Sequence, residues 1–330
     1  LDQTEHSVEP AIPVIWLLGK TGAGKTSLVR MLTGQGEIGN GFAPGTRAAR
    51  LHDFPAEAPV VRFLDTRGLG EAGHDPVRDL AEAQATTQVV LAVIRLDDPL
   101  QAPVIAALRV ARMPVLLVFT GADLVPEPGA QERVRAHLRA QIGRDLPFVT
   151  LALPAEGLLS GLEPLLDALE SVLPRAAAAL RRADEARNFL QMRALVLRYA
   201  AMAGASDAVP VAGLATVPAA QGALLHALAR RHGVALTPTR LGVLASALGV
   251  GALVRLAVGH ALRQGVKLVP VAGQTLGAAA AAGTSFATTY ALGRAASAWL
   301  YSLARGRPAD GASLRGLYDQ ALKGGRDAAG

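Results

Sequence analysis

Eight residues near the start of the chain, Gly19-Lys20-Thr21-Gly22-Ala23-Gly24-Lys25-Thr26, fit the pattern G-x-x-x-x-G-K-[ST]. They follow an apolar run, Ile12–Leu18, and precede an amphipathic stretch, Lys25–Thr33. The spacing predicts a strand, a glycine-rich turn and a helix in that order. The glycines let backbone N–H groups turn inward and approach phosphate oxygens closely. The helix that follows presents its N-terminus to an anion. Lys25 is expected to reach the β- and γ-phosphates of a nucleotide, and Thr26 to ligate Mg²⁺. Ser27 extends the cradle into the first helical turn. The chain has only four lysines against 29 arginines, and two of the four lie in this loop. A compact ammonium is wanted there rather than a planar fork.

A second set of residues, Asp65-Thr66-Arg67-Gly68, closes the apolar run Val60–Leu64. A carboxylate at that place can hold the Mg²⁺ shell through water, and the Gly68 amide can sense a γ-phosphate. The alternative for Asp65 is a helix cap or turn residue. Between the two sets lies the glycine-rich segment Gly39–Thr46, whose Thr46 is placed to complete the Mg²⁺ shell. In this order and spacing the motifs read as the switch region of a GTPase. Arg67 and Arg47 fall inside the two switch segments. Each is either an internal arginine finger on transition-state charge or a solvated residue pairing with Asp53 or Glu71. Leu69 stands where Ras-type enzymes carry a water-orienting Gln, so slow intrinsic turnover is expected. Glu71, His74 and Asp75 read as a solvated loop. After Val115–Phe119 comes Thr120-Gly121-Ala122-Asp123. Asp123 is expected to accept hydrogen bonds from guanine N1 and N2, or else to cap the turn before Pro126. GTPases usually place a lysine two residues before that aspartate, and its apolar stem covers the purine. Here the position is Gly121, which predicts reduced affinity.

The elements that must carry these residues are legible along the first half. Strands are predicted at Ile12–Leu18, Arg47–Phe54, Val60–Leu64, Val89–Leu96, Val115–Phe119 and Phe148–Leu151. Helices are predicted at Lys25–Thr33, Pro76–Thr86, Leu100–Ala111, Ala130–Ile142 and Gly161–Leu173. Strands two and three have no helix between them and should form a hairpin. The rest follows βαβ spacing, which implies a mostly parallel six-stranded sheet covered on both faces. The predicted fold class is therefore α/β, a P-loop NTPase domain with a Ras-like sheet, followed by an all-α domain. The expected boundaries are a polar tail over residues 1–10 without a signal-peptide pattern, a GTPase domain over 11–174, and a helical domain over 175–330.

The 330 residues include no cysteine, 51% apolar residues, 18% charged residues and 4% aromatics, with a formal charge of +6. These values exclude a disulfide scaffold, a thiolate metal site, a cysteine nucleophile and a disordered chain. They fit a reducing cytoplasm. The charge is unevenly divided. Residues 1–174 carry 15 basic and 21 acidic groups, and residues 175–330 carry 18 and 6. The second half is therefore either drawn to acidic partners, such as anionic lipid or nucleic acid, or simply solubilised by its basic surface.

That second half shows no strand signal. Residues 176–203 predict a long amphipathic helix with Arg181, Arg182, Arg187, Arg193 and Arg198 opposed to Leu190, Leu195 and Leu197. Ala-, Gly- and Leu-rich helical stretches follow at about 210–232, 239–262 and 270–304. The pentapeptide Val-Pro-Val-Ala-Gly occurs at 209–213 and again at 269–273, each time ahead of an apolar stretch. Residues 268–293 are uncharged, long enough to span a bilayer. Their Ala, Gly and Thr content argues instead for a tightly packed bundle, with Gly273 and Gly277 spaced for close helix approach. Trp299, Tyr290, Tyr301 and Tyr318 are too sparse for a base-stacking platform.

The first half resembles the Era-like branch of translation-factor-related GTPases. Phe63-Leu64-Asp65-Thr66-Arg67-Gly68-Leu69-Gly70-Glu71, the segment Gly39–Arg47 and the helical second half together resemble bacterial Era-like GTPases with a YcjF-type C-terminal domain. The resemblance implies GTP or GDP with Mg²⁺ as ligands. The wording Gly-Lys-Thr-Gly-Ala-Gly-Lys-Thr is also similar to septin and immunity-related GTPases, which often work as dimers on membranes. The expected partners are a second copy or a protein activator, and an anionic membrane surface. A ribosome- or RNA-linked role is the runner-up. The expected location is cytoplasmic, peripheral to the inner membrane.

Overall fold

The computed structural model describes residues 12–34, 50–65, 87–98, 100–153, 161–207, 213–249, 272–307 and 309–327. It divides into two compact units, with the division between Asp184 and Glu185.

The first unit is a six-stranded sheet, β1 (Val14–Leu18), β2 (Arg50–Phe54), β3 (Val61–Asp65), β4 (Val89–Arg95), β5 (Val115–Thr120) and β6 (Phe148–Thr150). The spatial order is β2-β3-β1-β4-β5-β6. β2 and β3 pair antiparallel as the expected hairpin, and every other pairing is parallel. The central strands are buried along their length. This is why they read as continuous apolar runs rather than alternating ones.

Strand periodicity sorts those residues into two cores. Trp16, Leu18, Val90, Ala92, Ile94 and Phe119 face one side. There they meet α2 (Ala102–Val110) and α3 (Pro128–Ile142) through Val104, Leu108, Leu138 and Ile142. Ile15, Leu17, Leu91, Val93, Leu116 and Val118 face the other side. They pack on α1 (Lys25–Thr33) and α4 (Leu162–Val172) through Leu28, Leu32, Leu165 and Leu169. Ala176, Ala177 and Leu180, at the start of α5 (Pro174–Asp207), complete this second core. The helix expected at Pro76–Thr86 lies outside the described residues.

The second unit contains the rest of α5 with α6 (Gly213–His232), α7 (Pro238–Leu248), α8 (Ala272–Ala304) and α9 (Gly311–Asp327). No strand occurs among its described residues. α6 and α8 open at the two Val-Pro-Val-Ala-Gly copies, at Gly213 and Ala272. The expected apolar face of α5 is corrected in part, since Leu195 packs half-buried against the helical core but Leu190 does not. Leu190 is 65% exposed. The buried stripe is Phe189, Met192, Val196, Ala200 and Ala203, which recur at three- and four-residue steps.

Alanine dominates the packing of α8, where Ala281, Ala287, Ala291, Ala295 and Ala296 are fully buried. A Cβ on Gly293 would lie 2.5 Å from Val196 Cγ1, and one on Gly204 would lie 2.9 Å from the Ala282 carbonyl oxygen. Trp299, Tyr301 and Tyr318 are core residues, so they offer no stacking surface. Arg294 makes two hydrogen bonds to Glu185, at 2.6 and 2.8 Å, and stands 4.5 Å over the Phe189 ring. Ser285 Oγ donates to the buried Asp207 carboxylate. Among the described residues, no helix is long and apolar enough to cross a membrane.

Candidate functional site

The C-terminal ends of β1, β3, β4 and β5 lie side by side in the sheet. That edge is where ligands bind in open α/β sheets. The glycine-rich loop leaves β1 at Gly19, which passes so close to β4 that a Cβ there would meet the Val93 carbonyl oxygen at 2.5 Å. The Ala23 amide donates to the Lys20 carbonyl at 3.1 Å and closes the turn. Gly22 and Gly24 have φ of +78° and +97°, which side-chain-bearing residues rarely adopt. α1 then begins with Gly24 at its cap, no side-chain cap hydrogen bond and no acidic residue in its first turn. The first amides and the positive end of the helix dipole are thus left to an anion. The cradle fits phosphate.

Lys25 folds over this loop. Its ammonium donates to the Gly19 carbonyl at 2.9 Å and the Lys20 carbonyl at 3.0 Å. Thr21 and Thr26 are exposed and Ser27 is half-buried. Asp65 closes β3, and its Cα is in register with Leu17, two residues before Gly19. Thr46, Arg67 and Gly68 lie outside the described residues, as does Arg47. Asp53 pairs with Arg62 at 2.7 Å.

Three side chains latch the loop to its surroundings, of which Lys20 and Thr120 fall in the expected motifs and Arg95 was not singled out by the sequence. Lys20 forms an ion pair with Asp98 at 2.5 Å and donates to the Leu100 carbonyl at 3.2 Å. Thr120 Oγ1 donates to the Ala23 carbonyl at 2.8 Å, a buried bond from the end of β5. Arg95, at the end of β4, donates from one terminal nitrogen to the Gly22 carbonyl at 3.3 Å. It grips Asp97 with its other two, Nε at 2.8 Å. The Arg95 guanidinium, through that hydrogen bond, holds the Asp97 carboxyl below the usual carboxylate range. The available sequence signal was the polar run Arg95-Leu96-Asp97-Asp98 ending an apolar strand.

Asp123 is exposed on the loop after β5. Gln131 of α3 steadies that loop by donating to the Ala122 and Val125 carbonyls at 3.0 and 2.6 Å. Gly121 has φ +73°, and a Cβ there would meet Asp97 Oδ1 at 3.3 Å. The structure thus brings Gly19–Ser27, the backbone of Asp65, and Asp123 to one edge of the sheet. Among the described residues no group of three His, Cys, Asp or Glu could hold a metal ion by itself. The residues expected to hold Mg²⁺ are Thr26 and Asp65, with Thr46 outside the described residues. In the helical unit, a cavity of about 470 Å³ is lined by Phe189, Arg193, Phe286, Tyr290 and Arg294 among others.

Residues 14–121 match the family model described as "50S ribosome-binding GTPase". The chain is 28% identical over 172 residues to translation initiation factor IF-2 of Sphingopyxis alaskensis. That alignment covers 49% of this chain and 19% of the factor, so the chain spans about a fifth of that relative's length. Among solved structures, Toc33 from Arabidopsis thaliana in complex with GDP and Mg²⁺ aligns at 21% identity and a TM-score of 0.37. The alignment covers 48% of this chain and 83% of that one. A probable GTP-binding protein, engB, aligns at 17% identity and a TM-score of 0.38, over 48% of this chain and 97% of that one. Residues 14–121 are thus similar to a GTPase family, and they lie in the sheet unit, which an all-α region follows.

Proposed function

We propose that the chain is a GTP-binding switch with slow Mg²⁺-dependent GTP hydrolysis, which couples nucleotide state to a basic helical effector region. The observation that carries this reading is the loop Gly19–Thr26, with two left-handed glycines, an uncapped helix start and the Lys25 ammonium folded over it. In this reading Gly19–Ser27 bind the phosphates, Thr26, Thr46 and Asp65 hold Mg²⁺, and Asp123 selects guanine. Gly68 senses the γ-phosphate, and Arg67 offers positive charge to the transition state. Mg²⁺, when bound, neutralises charge on the β- and γ-phosphates. Water attack then depends on positioning, and Leu69 cannot supply the hydrogen bond a Gln would. Stimulation by a second copy, a protein activator or a surface follows as the expectation. The excess of 18 basic over 6 acidic residues after Pro174 supports an anionic membrane surface as partner, with the protein cytoplasmic and peripheral to the inner membrane.

Calorimetry with GTP and ATP in Mg²⁺ tests the guanine reading, and preferential ATP binding would overturn it. A second reading, a ribosome- or RNA-associated GTPase, is favoured by the description of the family matched over residues 14–121. Co-sedimentation separates the two. The first predicts salt-sensitive pelleting with anionic liposomes that depends on a non-hydrolysable GTP analogue. The second predicts pelleting with ribosomes instead.

A further inference from the structure

We propose that Arg95 supplies the side chain that covers the purine, in place of the lysine missing at Gly121. The proposal rests on the guanine-nucleotide reading above and assigns a specificity residue within it. β4 lies between β1 and β5, so its last residue emerges between the phosphate loop and the loop that carries Asp123. Arg95 is in register with Thr120, one residue before Gly121. Its guanidinium spans the gap, with Gly22 of the phosphate loop on one side and Asp97 on the other. It also feels the charges of Asp98 and Asp123.

Arg95, through the carboxylate it grips, leaves position 121 tight for a lysine. Backbone at φ +73° disfavours any side chain at 121, and the first atom of one would crowd Asp97 Oδ1 at 3.3 Å. The carboxylate that Arg95 grips therefore stands close beside the start of any stem at 121. Held by Asp97 and the Gly22 carbonyl, the planar guanidinium is fixed at a place where its face can lie against an aromatic ring. Lysine has no such face, so the exchange changes how the base is held as well as which residue holds it.

The test titrates GDP and inorganic tripolyphosphate, each with Mg²⁺, into the wild-type chain and into Arg95→Ala. GDP binding should weaken about 10-fold more than tripolyphosphate binding in the variant, since loss of the Gly22 hydrogen bond touches both ligands alike. A role confined to shaping the phosphate loop would weaken both ligands equally, and that result overturns the proposal. So does a variant that binds GDP as tightly as wild type. Wild-type protein that binds tripolyphosphate but not guanine nucleotides overturns the guanine reading, and this proposal falls with it. Arg95→Gln keeps part of the stem and a donor for Gly22. Read against the same two ligands, it decides the matter even if the alanine variant folds poorly.

Discussion

Glycine does opposite work in the two units. In the sheet unit Gly22 and Gly24 adopt left-handed backbone so that amides can face an anion. In the helical unit Gly204 and Gly293 are ordinary helical residues whose missing side chains let one helix lie against another. The first unit keeps backbone open toward a ligand, and the second closes backbone against itself. The same residue type therefore marks a site in one region and a packing seam in the other. Only the surrounding pattern distinguishes them.

The largest expected effect breaks the first half of that comparison. Lys25→Ala should weaken GTP binding about 100-fold or more by calorimetry, because a charge-assisted donor is removed. Gly19→Ala should do the same, since its Cβ would collide with backbone that cannot move aside. Neither variant should alter the unfolding of the helical unit. Next, Arg294→Ala strands Glu185, in a pair whose side chains are 14% and 16% exposed. It should cost the helical unit about 3 kcal/mol in urea unfolding, and GTP affinity should stay unchanged. Gly293→Ala places a methyl group against Val196, a buried β-branched residue with little rotamer freedom. A loss of about 2 kcal/mol is expected, again without effect on nucleotide binding. Reduced GTP affinity in either helical variant would erase the distinction.

The smallest effect concerns pH. Burial, and secondly the positive charge of Arg305, hold His232 below its usual pKa of 6.5, against an upward pull from Glu185. Its Nε2 is buried without a hydrogen-bond partner. The unfolded chain therefore binds this proton more readily than the folded one. The stability His232 confers is complete above pH 6.5 and declines as pH falls below it. Thermal unfolding from pH 7.5 to 5.5 should show that decline, and His232→Gln should flatten it.

The sheet was legible because its information is local. Each strand is a short run of β-branched and aliphatic residues bounded by Gly, Pro or charge, and β1–β6 fall within three residues of the expected spans. The phosphate loop was legible for the same reason. The latches were not. Arg95 and Gly22 are 73 residues apart, and they meet only because β4 packs beside β1. In the helical unit, α5 was expected to bury Leu190, Leu195 and Leu197; Leu195 packs at the edge of the core, Leu190 is exposed, and Phe189, Met192, Val196 and small residues are the buried ones. Helix α9 went unread because Gly316, Gly324 and Gly325 mask its propensity. Leu314, Leu317, Tyr318 and Ala321 nevertheless carry the helical period, and Gly325 itself packs on Ala287.

The posture of Lys25 bears on how an anion would enter. Its ammonium already has two acceptors from its own loop, so a phosphate does not meet an idle cation. Binding is a trade of carbonyl oxygens for phosphoryl oxygens, and the heat released measures only the difference between them. The cation also acts as a staple that keeps Gly19 and Lys20 turned inward before any ligand arrives. A neutral residue at 25 therefore removes both the partner of the phosphate and the template of the loop. Loop disorder and lost affinity should appear together in that variant.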